Sequence, residues 1–375
     1  MRVLLLNQYF PPDPAPTGVL FAEIAAELEK AGHTVDFVAA HQQYRAAGRQ
    51  GGRLFRELAA SWRMLIDGLR RPRPDAVVSG SSPPCLLVVA TLVAWWHRAR
   101  SIHWIMDLYP EIAVALGEVR DGLFPRALRA LMGWCYRRAA RVIVLDEDMA
   151  ARVRLYGVEP AVIRPWVAAS ILKQLAQPVT AQSAEWTWMY SGNLGRAHEW
   201  ATVLAAQAEL ERRGAPIRLI FQGGGPSRAP AENRACELGL RRIEWRGYVP
   251  KTELPASLLR GHALIVTQLP EAKGLLWPSK LALVLCLPRL IVWVGQTGGA
   301  IARMLGTLPH AGVFAVGEAD GLADWLQRKA QDGLAPPVSI IDAARHREDS
   351  LAAWKDAVGL EKAGIAHAGN SVIST

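Results

Sequence analysis

The chain is short of acids, cysteines and long apolar runs. Its 375 residues carry 34 Asp and Glu against 43 Lys and Arg, so the formal net charge is +9 at pH 7. Four cysteines, Cys85, Cys135, Cys236 and Cys286, stand far apart with no C-x-x-C pair. That argues against a zinc site and a disulfide framework, and fits a reducing, cytoplasmic compartment. The longest charge-free apolar run, Cys85 to Trp96, is 12 residues and too short to span a bilayer. The opening MRVLLLNQYF reads as a buried strand and not a signal peptide, since prolines follow it and no small-residue cleavage site does. No G-x-G-x-x-G follows the first strand and no G-x-x-x-x-G-K-[ST] occurs, so dinucleotide and P-loop readings lose ground. No nucleic-acid motif is present, and nucleic acid is not expected as a partner. His97, His103 and Asp107 do not form a metal cluster, because at their spacing they would face different ways.

What is present is apolar and periodic. Hydrophobic residues make up 51% of the chain and charged ones 21%, which excludes disorder for most of its length; at this size two domains are expected. Apolar runs at 2–6, 32–40, 75–79, 101–107 and 141–146 alternate with helical segments, and a second series restarts at 186–192, 217–221, 242–247, 263–267, 289–294 and 313–316. Runs without strict alternation are strands covered on both faces, so each half is an open parallel α/β sheet. The expected boundaries are 1–170 for the first domain, a crossover near 169–185, 171–345 for the second domain, and 346–375 for a helix able to return to the first domain plus a loose tail. Two such sheets facing each other leave a cleft at the carboxyl ends of their strands, where open α/β sheets bind ligands.

Several loops at strand ends carry candidate chemistry, each beside a plainer alternative. Gly223, Gly224 and Gly225 in F-Q-G-G-G-P-S expose backbone between a strand and a helix, suited to a diphosphate or simply to a turn. S-G-N-L-G-R-A-H-E at 191–199 holds Arg196 in a glycine-bounded loop, a phosphate grip or a surface arginine. Glu271 and Lys273, then Ser279 and Lys280, lie in L-P-E-A-K-G-L-L-W-P-S-K; they suit sugar hydroxyls, ribose and phosphate, or a polar helix cap. P-P-D-P-A-P-T-G at 11–18 is a proline-stiffened loop in which Gly18 allows close backbone approach, to a ligand or to the protein itself. His103 and Asp107 in H-W-I-M-D-L-Y-P-E are polar groups in apolar surroundings; His103 is otherwise a core histidine and Asp107 a helix cap.

Charge is concentrated between Arg45 and Arg73, where eight arginines meet two acids, Glu57 and Asp67, among Leu54, Phe55, Leu58, Trp62, Leu65 and Leu69. An arginine-rich helix with an apolar side suits an anionic membrane surface, or else is a solvated helix packed on its own domain.

Taken together, N-Q-Y-F-P-P-D-P-A-P-T-G, H-W-I-M-D-L-Y-P-E, Y-S-G-N-L-G-R-A-H-E, F-Q-G-G-G-P and P-E-A-K-G-L-L-W-P-S-K resemble, in order and spacing over about residues 1–310, the family 4 nucleotide-sugar glycosyltransferases. Within them the chain resembles the bacterial polysaccharide branch of colanic-acid and O-antigen transferases. The resemblance implies a GT-B architecture, two facing Rossmann-like domains with an interdomain cleft and the donor mainly in the second. It implies a retaining transfer from a nucleoside-diphosphate sugar, UDP-linked, to a lipid-linked (polyprenyl diphosphate) saccharide acceptor, at the inner face of the cytoplasmic membrane. It implies no cofactor, and with no D-x-D signature read in the sequence no metal is expected. By the same resemblance Gly18 lies near the donor phosphates, the three glycines on the phosphate side and Glu271 on the donor sugar; His103 contacts the sugar and Asp107 orients the acceptor. Two positions depart from the family pattern: Ser279 stands where a second glutamate is usual, and Asn193 where an arginine is, leaving Arg196 or His198, with Lys273 and Lys280, to supply positive charge. The rival readings are a nucleotide-sugar epimerase on the same scaffold and a catalytically silent nucleotide-binding protein.

Overall fold

The computed structural model describes residues 1–13, 15–40, 53–175, 185–332 and 341–359. Part of the basic segment 45–73, the middle of the 169–185 crossover, and residues 360–375 of the expected 346–375 segment lie outside the described residues.

The N-terminal lobe runs β1 (Arg2–Asn7), α1 (Pro16–Lys30), β2 (Thr34–Ala39), α2 (Arg53–Arg70), β3 (Ala76–Ser79), α3 (Leu86–His97), β4 (Arg100–Trp104), α4 (Glu111–Ala115), α5 (Leu123–Arg138), β5 (Arg141–Val144), α6 (Glu147–Arg154), β6 (Ala161–Val162) and α7 (Ala169–Leu175). The C-terminal lobe runs β7 (Trp186–Ser191), α8 (Ala201–Arg212), β8 (Ile217–Gln222), α9 (Arg228–Glu237), β9 (Ile243–Arg246), α10 (Leu254–Leu258), β10 (Ala263–Thr267), α11 (Leu281–Val284), β11 (Leu290–Val294), α12 (Ala300–Gly306), β12 (Ala311–Phe314) and α13 (Ala319–Gln331), and α14 (Ala343–Val358) closes the described chain.

Both sheets are parallel throughout, with strand orders β2-β1-β3-β4-β5-β6 and β12-β11-β10-β7-β8-β9. The strands are apolar runs because both faces are covered: β3, β10 and β11 are buried at every residue. The order in which strands are added reverses between β1 and β3 in the first sheet and between β7 and β10 in the second, and such switch points open a crevice at the carboxyl ends of the strands. The loops after β7 and β10 flank the second crevice.

One apolar core passes from the first sheet into the second, from Leu5 and Trp104 to Val266, Trp277 and Trp293. α14 follows the C-terminal lobe but packs on the N-terminal one. Its Trp354 meets Trp104 edge-on at 6.1 Å, and Trp104 stacks on Trp166 at 5.6 Å. Arg347 pairs with Glu23 of α1 at 2.9 Å, and Glu23 also accepts from Trp166 Nε1. At the helix end Arg100 donates to the carbonyls of Val358 and Gly359, so a guanidinium caps the negative end of the helix dipole. Trp354 is 1% exposed. Trp354→Ala is expected to destabilise the protein by about 3–5 kcal/mol in denaturant unfolding; a loss below about 1 kcal/mol would mean that α14 does not hold the first lobe.

Candidate functional site

The loops after β7 and β8 form one corner. Gly192 N–H donates to Gln222 O at 2.8 Å, Leu194 N–H to Gly224 O at 2.6 Å, and Ser227 N–H to Leu194 O at 3.0 Å. Gly223 and Gly225 have φ of 128° and 125°. A Cβ on Gly223 would stand 2.1 Å from Gly192 O, and one on Gly225 2.5 Å from Leu194 O. The bare backbone of the triple glycine is therefore used first by the neighbouring loop, which no side chain would let this close. Asn193 lies within the corner: its carbonyl accepts from Tyr190 O–H at 2.8 Å and its Oδ1 from Tyr248 O–H at 3.2 Å. A small recess beside it, open to solvent, is lined by residues that include Tyr190, Gly192, Gly223, Gly224, Arg228 and Trp245.

Lys280 reaches this corner from the loop after β10. Its Nζ lies 3.2 Å from the centre of the Tyr190 ring, beside Gly192, and has no hydrogen-bond partner among the described residues. Burial pulls its pKa well below the ordinary value, while the π face of Tyr190 favours the charged form. An ammonium in this setting has its donor capacity open to an anion. Next to it, His198 Nδ1 accepts from Gly195 N–H at 3.0 Å, and burial followed by the Lys280 charge lowers its pKa to about 3. His198 is thus neutral at pH 7, and of the two candidates for the displaced positive charge only Arg196 is a cation. Arg196 Nη1 lies 3.6 Å from Glu118 of the opposite lobe, in the loop after α4.

The loop after β10 meets the first lobe directly. Asp107 forms an antiparallel bridge with Leu276, and Leu108 N–H donates to Leu275 O at 2.8 Å. Gln268 Nε2 donates to the carbonyls of Ala272 and Leu276, holding the loop from its own side. Glu271 is exposed in a tight 3₁₀ turn, Pro270–Ala272, and Ser279 is exposed farther along. Lys273 Nζ lies 3.8 Å from Asp148 Oδ1 at the start of α6. Thr267 Oγ1 and Trp277 Nε1 are buried here without partners among the described residues. Asp107, Arg196, Glu271, Lys273 and Lys280 thus stand on loops at the carboxyl ends of the two sheets, and the lobes touch through Asp107, Arg196 and Lys273. Burial pushes the Asp107 carboxyl up to about 6, so it remains mostly ionised at neutral pH but holds its proton more readily than an exposed aspartate.

Two expected site residues are engaged elsewhere. His103 is fully buried within β4, paired in register with Ser79 and Val142. Thr91 O–H donates to Leu87 O, so Thr91 Oγ1 accepts from His103 Nε2–H at 3.3 Å and Ser79 O–H donates to Nδ1 at 2.8 Å. Both ring nitrogens are satisfied in the core, and burial lowers the pKa to about 4. The structure does not bring His103 to the cleft, which corrects the expected sugar contact. At Gly18 a Cβ would stand 2.9 Å from Tyr9 O, so the missing side chain is taken up by the protein's own loop.

Asp148 is the residue that sequence reasoning missed. Its Oδ2 accepts from Ala300 N–H of α12 at 2.6 Å, and Arg303 and Lys273 each stand 3.8 Å from Oδ1. Asp146-Glu147-Asp148 has D-x-D spacing, which the sequence reading also passed over. Asp146 caps α6 by accepting from Met149 N–H, and Asp148 is spent on the other lobe. No group of three His, Cys, Asp or Glu able to hold a metal occurs among the described residues. The sequence marks Asp146 as a helix cap, but carries no sign that Asp148 touches a helix more than 150 positions away.

Residues 17–166 match the model of the glycosyl transferase 4-like domain. The chain is 26% identical over 250 residues to "Probable glycosyltransferase WbjE" of Pseudomonas aeruginosa, covering 63% of this chain and spanning about 61% of that relative. Among solved structures it is similar to the apo form of the lipopolysaccharide outer core galactosyltransferase WaaB (TM-score 0.62, 12% identity, 96% and 99% of the two chains). It is also similar to Anabaena HepE crystallised with UDP-glucose (TM-score 0.60, 15% identity, 96% and 98%). These matches and the two parallel sheets establish the GT-B fold.

The buried histidine makes a prediction with a definite sign. The unfolded chain protonates His103 below about pH 6.5, whereas the folded chain does so only near 4, so the contribution of His103 is whole above 6.5 and is lost as pH falls. The stability gap between wild type and His103→Gln should shrink by roughly 1.4 kcal/mol between neutral pH and about 5.5 in urea unfolding. A gap independent of pH would contradict the buried, neutral assignment.

Proposed function

We propose, from the premise that this GT-B chain carries a glycosyl transferase 4-like domain over residues 17–166, that it is a glycosyltransferase of bacterial polysaccharide synthesis. It moves a sugar from a nucleoside-diphosphate donor, UDP-linked, to a membrane-associated saccharide on a lipid diphosphate carrier, with retained configuration. The observation that carries this reading is the meeting, across one cleft, of the Asp107 loop of the first lobe with the Glu271–Lys280 loop of the second, beside the corner that holds Lys280 and Arg196. The UDP assignment draws on the UDP-glucose complex of HepE.

The chemistry asks for charge stabilisation more than for a covalent nucleophile. The bond between the anomeric carbon and the diphosphate breaks while the acceptor oxygen bonds to the same face of that carbon, and the acceptor proton passes to the departing phosphate oxygen. Negative charge grows on the diphosphate; Arg228, bonded to Gly223 O, and Lys280, beside Gly192, are cations at the glycine corner, and Arg196 stands on the adjoining loop. Preorganised donors of this kind are usually the largest catalytic contribution. Lys273 lies nearer the sugar end, paired with Asp148 until a donor competes for it. Glu271, exposed at the crevice, accepts from sugar hydroxyls; Ser279, on the same loop, is available to the ribose; Asp107 orients the acceptor hydroxyl. Contact between the lobes excludes water, which limits donor hydrolysis.

Arg196→Ala is expected to lower turnover about 10²- to 10³-fold with the fold intact by circular dichroism; unchanged turnover removes Arg196 from the mechanism. Glu271→Ala should weaken binding of the whole donor while leaving free UDP affinity unchanged in calorimetry. Equal loss of both would move Glu271 to the nucleotide end. Isomerisation of the donor with no acceptor present would replace the transferase reading with an epimerase.

A further inference from the structure

The basic stretch named in the sequence is one third of a larger surface. α2, α3 and α5 lie side by side on one face of the first sheet, because the crossovers β2–β3, β3–β4 and β4–β5 all step in the same direction. Their inward positions are core: Met64, Val89, Val93 and Cys135 are buried. Their outward positions carry large apolar side chains. Trp62 on α2 is 64% exposed, Trp95 and Trp96 on α3 are 71% and 63% exposed, and Leu123 and Phe124 at the head of α5 are 84% and 68% exposed. Leu58, Leu92, Leu131 and Trp134 complete the layer. The other exposed large apolar residues described, Met1, Leu155, Tyr248 and Val316, lie on other elements. Exposed apolar residues scattered singly need no explanation; four tryptophans on one helical layer do.

The same layer is cationic. The three helices hold eight arginines, four on α2 and four on α5, against two acids, Glu57 and Asp67; α3 and α5 contain no acid at all. The Arg138 guanidinium lies over the Trp134 ring at 4.8 Å. Tryptophan beside arginine is the composition of a surface that sits at headgroup depth, with rings toward the acyl boundary and guanidiniums on anionic phosphates. A second copy of this chain is a poor occupant, because a two-fold contact would press this arginine set against itself. The layer is the outer side of three packed helices, which suits a flat partner. No helix among the described residues is long and apolar enough to cross a membrane, so contact here would be with one leaflet.

We infer that the outward face of α2, α3 and α5 is a single monotopic docking surface for an anionic lipid bilayer, in which Trp95, Trp96, Leu123 and Phe124 enter the interface. This deepens the reading of a membrane-associated acceptor and rests on it for its purpose, but not for its physical basis. The surface also has a direction. Glu118, which pairs with Arg196 across the cleft, lies five residues before Leu123, so the head of α5 borders the cleft mouth and brings that mouth to the membrane edge.

The test is flotation of the full-length protein with phosphatidylcholine vesicles, with and without phosphatidylglycerol, comparing wild type with Trp95→Ser/Trp96→Ser and Leu123→Ser/Phe124→Ser. These positions are exposed, so circular dichroism and melting temperature should be unchanged. Wild type should float with the anionic vesicles, less so at high salt, and its tryptophan emission should shift to the blue. Each double variant should bind at least about tenfold more weakly. Equal partition of variants and wild type, no flotation of wild type, or a wild-type dimer that the variants abolish would overturn the proposal. UDP binding by the same variants separates the two readings: it should be unchanged, and loss of vesicle binding with UDP binding intact leaves the donor site as proposed.

Discussion

Two parallel sheets make a binding cleft only if their carboxyl ends face each other, and here a short length of backbone pairing holds that relation. Leu108 N–H donates to Leu275 O and Asp107 bridges Leu276, so the loop after β4 and the loop after β10 behave as two strands of one small ribbon. Asp148 adds a carboxylate to the first amide of α12, and α14 returns the end of the chain to the first lobe through Trp354 and Arg347. The contacts are few and polar at the cleft and apolar behind it, an arrangement that permits motion at the mouth without loss of the core.

Charge is distributed along the cleft in a consistent way. The second lobe contributes cations with weak or no fixed partners: Lys280 over an aromatic ring, Arg196 at 3.6 Å from Glu118, Lys273 at 3.8 Å from Asp148. The first lobe contributes Glu118 and Asp148, the anions that face Arg196 and Lys273. Long, partly exposed ion pairs of this kind contribute little to stability, so an incoming diphosphate can compete for the cations at small cost. His198 is kept neutral in the same corner, which lowers the repulsion around Lys280.

The helical layer on the far side of the first sheet follows from the topology. Three crossovers in one direction stack α2, α3 and α5 on one face, and any residue that is apolar at an outward position there becomes part of a continuous surface. Trp95 and Trp96 end the longest charge-free apolar run in the sequence. The left-handed residue Arg98 ends α3, and both rings, in its last turn, are exposed.

Strand positions, the doubling of the α/β unit and the loops at strand ends were legible in the sequence, because buried strands are apolar runs and glycines mark strand exits. The corner at Gly223–Gly225 was legible as a place where backbone is bare. What presses on that backbone was not, since Gly192 O reaches it only after β7 and β8 pair. His103 and Asp107 are four residues apart in one apolar stretch and look alike as polar interruptions. Only the sheet decides that the first points into a core with Ser79 and Thr91 while the second emerges past the strand end. Asp148 and the tryptophan face are invisible to any local reading, because each depends on which distant element lies opposite. Composition and periodicity determine what a segment can bury; which groups are left uncovered, and what they face, is settled by how the two sheets and their helices pack.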